Sequence, residues 1–232
     1  MKETTQKETA KKETVKKAPK TASKLTLKEA FSKAEEHLAK ADPVMKELIR
    51  KHGECRLKPQ ADAFFVLCDS IISQQISVKA AAAIMKRFVA LFPKEKPEPA
   101  LLLVLPDEIV RAVGCSSSKV KYLKDLAEKF HDKTLKPKKL VALEDEELIK
   151  TLTQVKGIGR WTAEMFLIFS LNRLDVMATD DYGLRKAMML LYNMPEMPKR
   201  AIMLELAEAW KPYRSVASWY LWRSLDNEPS IG

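Results

Sequence analysis

From about residue 25 onward, apolar residues recur at three- and four-residue intervals, the spacing that lines one face of an α-helix. Thr26-x-x-Glu29 is a capping-box pattern and predicts a helix over 27–40. Asp42-Pro43 reads as an N-cap and first helical residue, with a helix to about Arg50 that His52-Gly53 ends. Ala61 to Ser73 is apolar enough for a buried helix. Ser77 caps an alanine-rich one over Val78 to Leu91. Phe92 to Pro99 holds three prolines and reads as a loop. Pro106 to Val113 is a short helix closed by Gly114. Ser118 to Lys133 is amphipathic, with Val120, Leu123, Leu126, Ala127 and Phe130 on one side. Further helices are expected over Glu144 to Leu152, 160–170, 181–192, Pro198 to Trp210 and Pro212 to Leu225, with a loop over Leu171 to Asp180. Strand-like alternation is scarce, so the predicted fold class is all-α.

Composition narrows the setting. The 232 residues are 46% hydrophobic, enough for one core in two lobes or for two small domains. No apolar run reaches about 18 residues, so no membrane span is expected. The net charge is +10, and residues 1–24, with eight Lys and three Glu, carry half of it. That stretch is polar and repetitive and is expected to be a disordered basic tail, either a nonspecific DNA arm or a solubilising extension. A basic body with a basic tail favours a polyanion partner, although a basic protein without one fits the same charge. The three cysteines, Cys55, Cys68 and Cys115, are far apart and lack C-x-x-C spacing, which argues against a structural zinc.

One stretch concentrates the candidate chemistry. Val155-Lys156-Gly157-Ile158-Gly159 lies between two apolar helical runs. Two glycines permit unusual backbone angles and close approach of another backbone. The helix after them starts with unpaired N–H groups, which suit a phosphate, and Lys156 and Arg160 add positive charge. A plain turn between helices reads the same residues without a ligand. About twenty residues on, Asp180 and Asp181 are adjacent and Tyr182 follows. Two aspartates at a helix start also serve as a cap and a favourable dipole charge.

The motif L-x-x-V-K-G-I-G-R-W-T-A resembles the helix-hairpin-helix of DNA glycosylases in which a Gly/Pro-rich loop and a catalytic Asp follow. Together with Thr179-Asp180-Asp181-Tyr182, Trp210 to Ser215 and Ile71 to Val78, it is similar to the DNA-3-methyladenine glycosylase II family, the alkylbase branch, over roughly residues 25–225. The resemblance implies two helical lobes with a cleft between them, a central one over about 60–175 and another from 25–59 plus 176–228. It implies that Asp181 is catalytic and Asp180 a cap or supporting partner. Trp161, Tyr182 and Trp222 would line the pocket for an extruded cationic base, with Met165 one turn from Trp161. The hairpin, Lys156, Gly157, Ile158, Gly159, Arg160 and Thr162, would bind DNA. Gln75, with Gln74 beside it, would be the wedge that fills the gap left by the flipped base. Backbone carbonyls of Thr153, Val155 and Gly157 would hold an alkali ion, Na+ or K+; no organic cofactor is implied.

Trp161 stands where bifunctional relatives carry a nucleophilic lysine, so the resemblance implies a monofunctional enzyme. The absence of any cysteine after Asp181 argues against the iron–sulfur cluster of some relatives. His37, His52 and His131 lie outside the motifs and read as surface or structural residues. The expectation is a monomeric base excision repair enzyme, working on double-stranded DNA with alkylated bases, in a nucleus or a bacterial nucleoid. A noncatalytic helix-hairpin-helix DNA-binding protein and a bifunctional glycosylase/lyase for oxidised bases are the alternatives.

Overall fold

The computed structural model describes residues 26–60 and 62–225. The basic tail expected over residues 1–24 lies outside them. The described chain is built from helices α1 (Leu27–Ala41), α2 (Pro43–His52), α3 (Ala63–Ser73), α4 (Val78–Val89), α5 (Pro99–Val104), α6 (Asp107–Ala112), α7 (Ser117–His131), α8 (Pro137–Leu140), α9 (Asp145–Leu152), α10 (Arg160–Phe169), α11 (Tyr182–Leu191), α12 (Arg200–Leu206) and α13 (Arg214–Leu225). Short 3-10 turns occupy Pro93–Glu95 and Ala207–Trp210, and no strand occurs among the described residues. The all-α reading holds.

Local chemistry explains most boundaries. Thr26 and Glu29 close the capping box at α1. The Asp42 carboxylate accepts the amides of Val44 and Met45 at α2. Ser77 caps α4 through the Ala80 amide, and Gly53 and Gly114, both at positive φ, stop α2 and α6. Two helices were not expected. α5 starts at Pro99 and packs on α7, and α8 is a single turn at Pro137. The expected helices from Pro198 and Pro212 start two residues later, at Arg200 and Arg214.

The densest packing falls into two groups. In the first, α3 packs on α4, α7 and α10, while α5 and α6 lie on α7, and α9 on α10. Phe64, Leu67, Ile71 and Ile72 of α3 are buried there, as are Leu123 and Leu126 of α7 and Phe166 and Leu167 of α10. In the second, α1 and α2 pack on each other and on α13, which also carries α11. Fully burying one such apolar side chain contributes about 1.5–3 kcal/mol. Chain-distant polar bonds lock the second group. Asp42 Oδ2 accepts from the Tyr192 hydroxyl at 2.6 Å and the Trp210 indole at 2.9 Å, joining the N-terminal helices to α11 and the C-terminal region. The Tyr220 hydroxyl on α13 lies 2.9 Å from Glu35 Oε1 and 2.8 Å from the Gly53 carbonyl.

Candidate active site

The hairpin between α9 and α10 divides its two glycines between two tasks. Gly157 sits at φ +81, and a Cβ there would meet the Tyr122 ring at 2.1 Å, so the backbone lies flat on an aromatic of α7. Gly159 is extended and exposed, with nothing within 4 Å of an added Cβ. It is the N-cap of α10 without any side-chain cap bond, so the first turn keeps amides to offer an anion. Asp125 of α7 fastens the hairpin from below. Its Oδ2 accepts the Lys156 amide at 2.9 Å and the Lys129 ammonium at 2.7 Å. Burial pushes the Asp125 carboxyl up, but these bonds outweigh it and hold the group below its ordinary range.

Two of the residues expected to touch DNA are turned inward and the side chain of a third is already paired. Ile158 is buried and its amide donates to the Val155 carbonyl at 3.1 Å. Thr162 is buried, with its hydroxyl beside the Gln74 amide. The Arg160 guanidinium is taken up by Glu146 and Glu164. Each follows from helical geometry: the first turn of α10 must present apolar and paired faces to α9 and α3. Lys156 does reach solvent, its side chain 74% exposed, with Asp125 Oδ1 at 3.5 Å.

Twelve residues beyond α10, Asp181 is the N-cap of α11. Of the two roles expected for Asp180, cap or supporting partner, the first is corrected: Asp181 caps the helix itself and Asp180 is exposed. Asp181 Oδ1 accepts from the Leu184 amide at 2.7 Å and the Trp222 indole at 2.9 Å. Its Oδ2 accepts from the Trp161 indole at 2.9 Å. Each carboxylate oxygen has two lone pairs. Oδ1 has two donors and Oδ2 one, so Oδ2 is the oxygen with a position left for a reacting group. A carboxylate held by α11, α13 and α10 at once is fixed in both place and tilt.

The aromatic side chains surround it. Trp161, Met165 and Phe169 follow at four-residue intervals on one half-buried face of α10. Trp222 stacks on Phe169 with ring centroids 5.4 Å apart and an interplanar angle of 29°. Tyr182 is 66% exposed at the start of α11 and so forms a rim rather than a wall. A Cβ on Gly183 would lie 3.1 Å from Asp181 Oδ1 and 3.2 Å from Trp222 Cδ1, so the missing side chain is what lets that indole reach the carboxylate. Phe169 and Gly183 were not singled out in the sequence; the four-residue step from Trp161 and Met165 was the available signal.

The loop that delivers Asp181 contains neither glycine nor proline between Leu171 and Thr179. The start of α13 holds it instead. Arg214 forks onto the Asp175 carboxylate at 2.7 and 2.9 Å, and the Ser215 hydroxyl accepts the Val176 amide at 2.9 Å. This gives the Trp210 to Ser215 motif a physical role. Behind it, Arg160, Glu164, Arg200 and Arg214 line a polar cavity of about 300 Å³. Burial there pushes the Glu164 carboxyl up, against the pull of Arg160.

Gln75 occupies the tip of the turn between α3 and α4, exposed and at φ +56. Gln74 points the other way: its amide donates to the Gly157 carbonyl at 2.8 Å. Gln74 is thus corrected from a wedge residue to an internal tie. Ile76, 37% exposed, is the apolar neighbour of the tip. His37 is engaged with the Ala209 carbonyl at 3.1 Å, away from Asp181.

Known proteins resemble this chain in sequence and fold. A family model described as HhH-GPD superfamily base excision DNA repair protein matches residues 68–212. The chain is 38% identical over 200 residues to DNA-3-methyladenine glycosylase 1 of Schizosaccharomyces pombe, covering 84% of this chain and 88% of that protein. The 3-methyladenine DNA glycosylase of the same yeast, solved in complex with abasic DNA, superposes with a TM-score of 0.77 over 83% of this chain and 96% of that one. A DNA-3-methyladenine glycosidase from Bacillus halodurans, 34% identical, gives 0.74 over 84% and 89%. The matched family model and relatives show that the chain belongs to the HhH-GPD superfamily of base excision DNA repair proteins.

Proposed function

We propose that this protein is a monofunctional DNA glycosylase that hydrolyses the N-glycosidic bond of alkylated purines, 3-methyladenine foremost, in double-stranded DNA. The observation that carries the reading is the Asp181 carboxylate, held by two indole N–H groups and a helix amide beside a face of aromatic rings. The target nucleotide leaves the stack to be reached. Its base, cationic through alkylation, is attracted by the faces of Trp161 and Trp222. Bond cleavage builds an oxocarbenium-like sugar. A carboxylate about 4 Å from that cation stabilises it by about 4 kcal/mol at an effective dielectric near 20. Oδ2, the oxygen with one donor, faces the cation and orients the incoming water. The departing base is already positively charged, so it needs no side-chain acid, in keeping with the absence of a histidine partner for Asp181 among its described bonds. Trp161 offers no amine, so no covalent sugar adduct forms.

The uncapped amides at the start of α10 and the Lys156 ammonium take the DNA backbone, with Gln75 as wedge. An alkali ion fits the hairpin's chemistry. Val155 and Gly157 present carbonyl oxygens that accept one hydrogen bond each and keep a second lone pair. With Thr153 they would hold it, and it would add positive charge behind the phosphate. The protein acts as a monomer.

The test is release of 3-methyladenine from methylated duplex DNA by wild type and Asp181→Asn. Release by wild type, lost in the variant while DNA binding persists, is the expected result. Binding without release by the wild type would make this a noncatalytic DNA-binding protein. Trapping of a borohydride-reduced covalent complex would make it a lyase.

A further inference from the structure

We infer that Gln74 and Lys119 are positioning residues that make the wedge turn and the phosphate-binding hairpin one rigid piece, so that grip on the backbone and extrusion of the base occur together. The inference rests on the glycosylase reading above. α3 ends at Ser73, and the carbonyls of its last turn need partners. Lys119, in the first turn of α7, supplies them: its ammonium donates to the Ile72 carbonyl at 2.7 Å and the Gln74 carbonyl at 2.8 Å. A cation at a helix C-terminus also suits the helix dipole. With its backbone so fixed, the Gln74 side chain crosses to the hairpin. Its amide donates to the Gly157 carbonyl at 2.8 Å and lies 3.5 Å from the Thr162 hydroxyl. Gly157 itself cannot move away, because the Tyr122 ring of α7 fills the space beneath it.

The consequence falls on the next residue. Gln75 is held at φ +56, a left-handed conformation that non-glycine residues adopt at a cost. It persists because Gln74 is tied on both sides, by Lys119 at its carbonyl and by Gly157 at its amide. The exposed tip is therefore stiff and registered against the uncapped amides at the start of α10. Without the tie, the hairpin still binds phosphate, but the tip relaxes and no longer drives into the stack.

Two measurements separate this from a merely structural role. The first is single-turnover release of 3-methyladenine from methylated duplex, beside affinity for a duplex containing a tetrahydrofuran abasic analogue. The second uses 2-aminopurine on the opposite strand, whose fluorescence rises when the wedge unstacks it. Gln74→Ala is expected to lower the release rate about tenfold, the worth of one well-placed hydrogen bond. Abasic-DNA affinity should change by less than about twofold, with the 2-aminopurine signal reduced. Lys119→Met should act in the same direction. An unchanged release rate in Gln74→Ala overturns the inference. So does parallel loss of release, abasic-DNA affinity and melting temperature, which marks local unfolding. Full activity in Gln74→Leu would show that Gln74 is itself a wedge and also overturns it. If wild type frees no base, the glycosylase reading fails, and the 2-aminopurine signal, which needs no chemistry, still decides the coupling.

Discussion

Replacing Trp222 by phenylalanine separates the two things its indole does. A phenyl ring keeps a face for Phe169, now 5.4 Å away between centroids, but removes the N–H that reaches Asp181 Oδ1 at 2.9 Å. Asp181 then retains the Leu184 amide on Oδ1 and the Trp161 indole on Oδ2, so the cap survives while the carboxylate gains freedom to rotate. A hydrogen bond to a charged group is worth about 1.5–3 kcal/mol. If that orientation is needed at the oxocarbenium stage, the same amount appears in the barrier, or about 10- to 150-fold in rate. The assay is single-turnover release of 3-methyladenine at saturating enzyme, with abasic-DNA binding and thermal unfolding as controls. Both controls should move little, because Trp222 is half-buried and its neighbour Leu221 carries the packing. A wild-type rate in Trp222→Phe, with a large loss only in Trp222→Leu, would refute the reasoning: the residue would then serve as a stacking face alone.

The other predictions follow from features remote from the carboxylate. Asp42→Ala removes the α2 cap and strands the buried Trp210 indole and the Tyr192 hydroxyl. It should cost about 3–5 kcal/mol in denaturant unfolding, and a loss below about 1 kcal/mol would discount the hub. Gly157→Ala, at positive φ against Tyr122, should destabilise by more than about 2 kcal/mol. Gly159→Ala, in open space, should leave stability within about 1 kcal/mol while weakening DNA binding, and equal stability losses would refute the division of labour. Glu164 has its folded protonation range raised by burial, so the stability it contributes is present at low pH and lost as pH rises through that range. Glu164→Gln should therefore gain on wild type in thermal unfolding as pH rises above the ordinary carboxylate range, and a constant difference would show that the group does not titrate differently on folding.

Residues whose function is local were legible in the sequence. Thr26, Asp42 and Ser77 cap helices because their side chains bond to amides two or three residues on, and spacing encodes that directly. Asp181 was reached through its motif, with Trp161 and Trp222, but the direct bonds among them were not foreseen. What joins them is the crossing of three helices, and no period in the chain expresses a crossing. Asp125 illustrates the difficulty. With Lys129 four residues on, it looks like a surface ion pair, yet it is buried and holds the Lys156 amide. Tyr122 and Lys119 on the same helix are hidden for the same reason: their partners lie more than 30 residues away. α5 was overlooked because its apolar run sits among prolines, although Pro99 at its first turn was itself a start signal. The inward turn of Ile158 and Thr162 depends on which face of α10 meets α3, something a hairpin motif does not specify.

Helix α13 carries a consequence for the order in which the protein becomes competent. Its first residues, Arg214 and Ser215, pin the loop before Asp181, and two turns later Trp222 orients the carboxylate. During synthesis the hairpin and Asp181 leave the ribosome some forty residues before that indole. Without α13 the loop before Asp181 loses Arg214 and Ser215 and the carboxylate loses the Trp222 indole, while the hairpin's own ties to Asp125 and Gln74 do not involve that helix. Aiming of the carboxylate thereby waits on the last described helix, whereas the hairpin is assembled from residues that precede it.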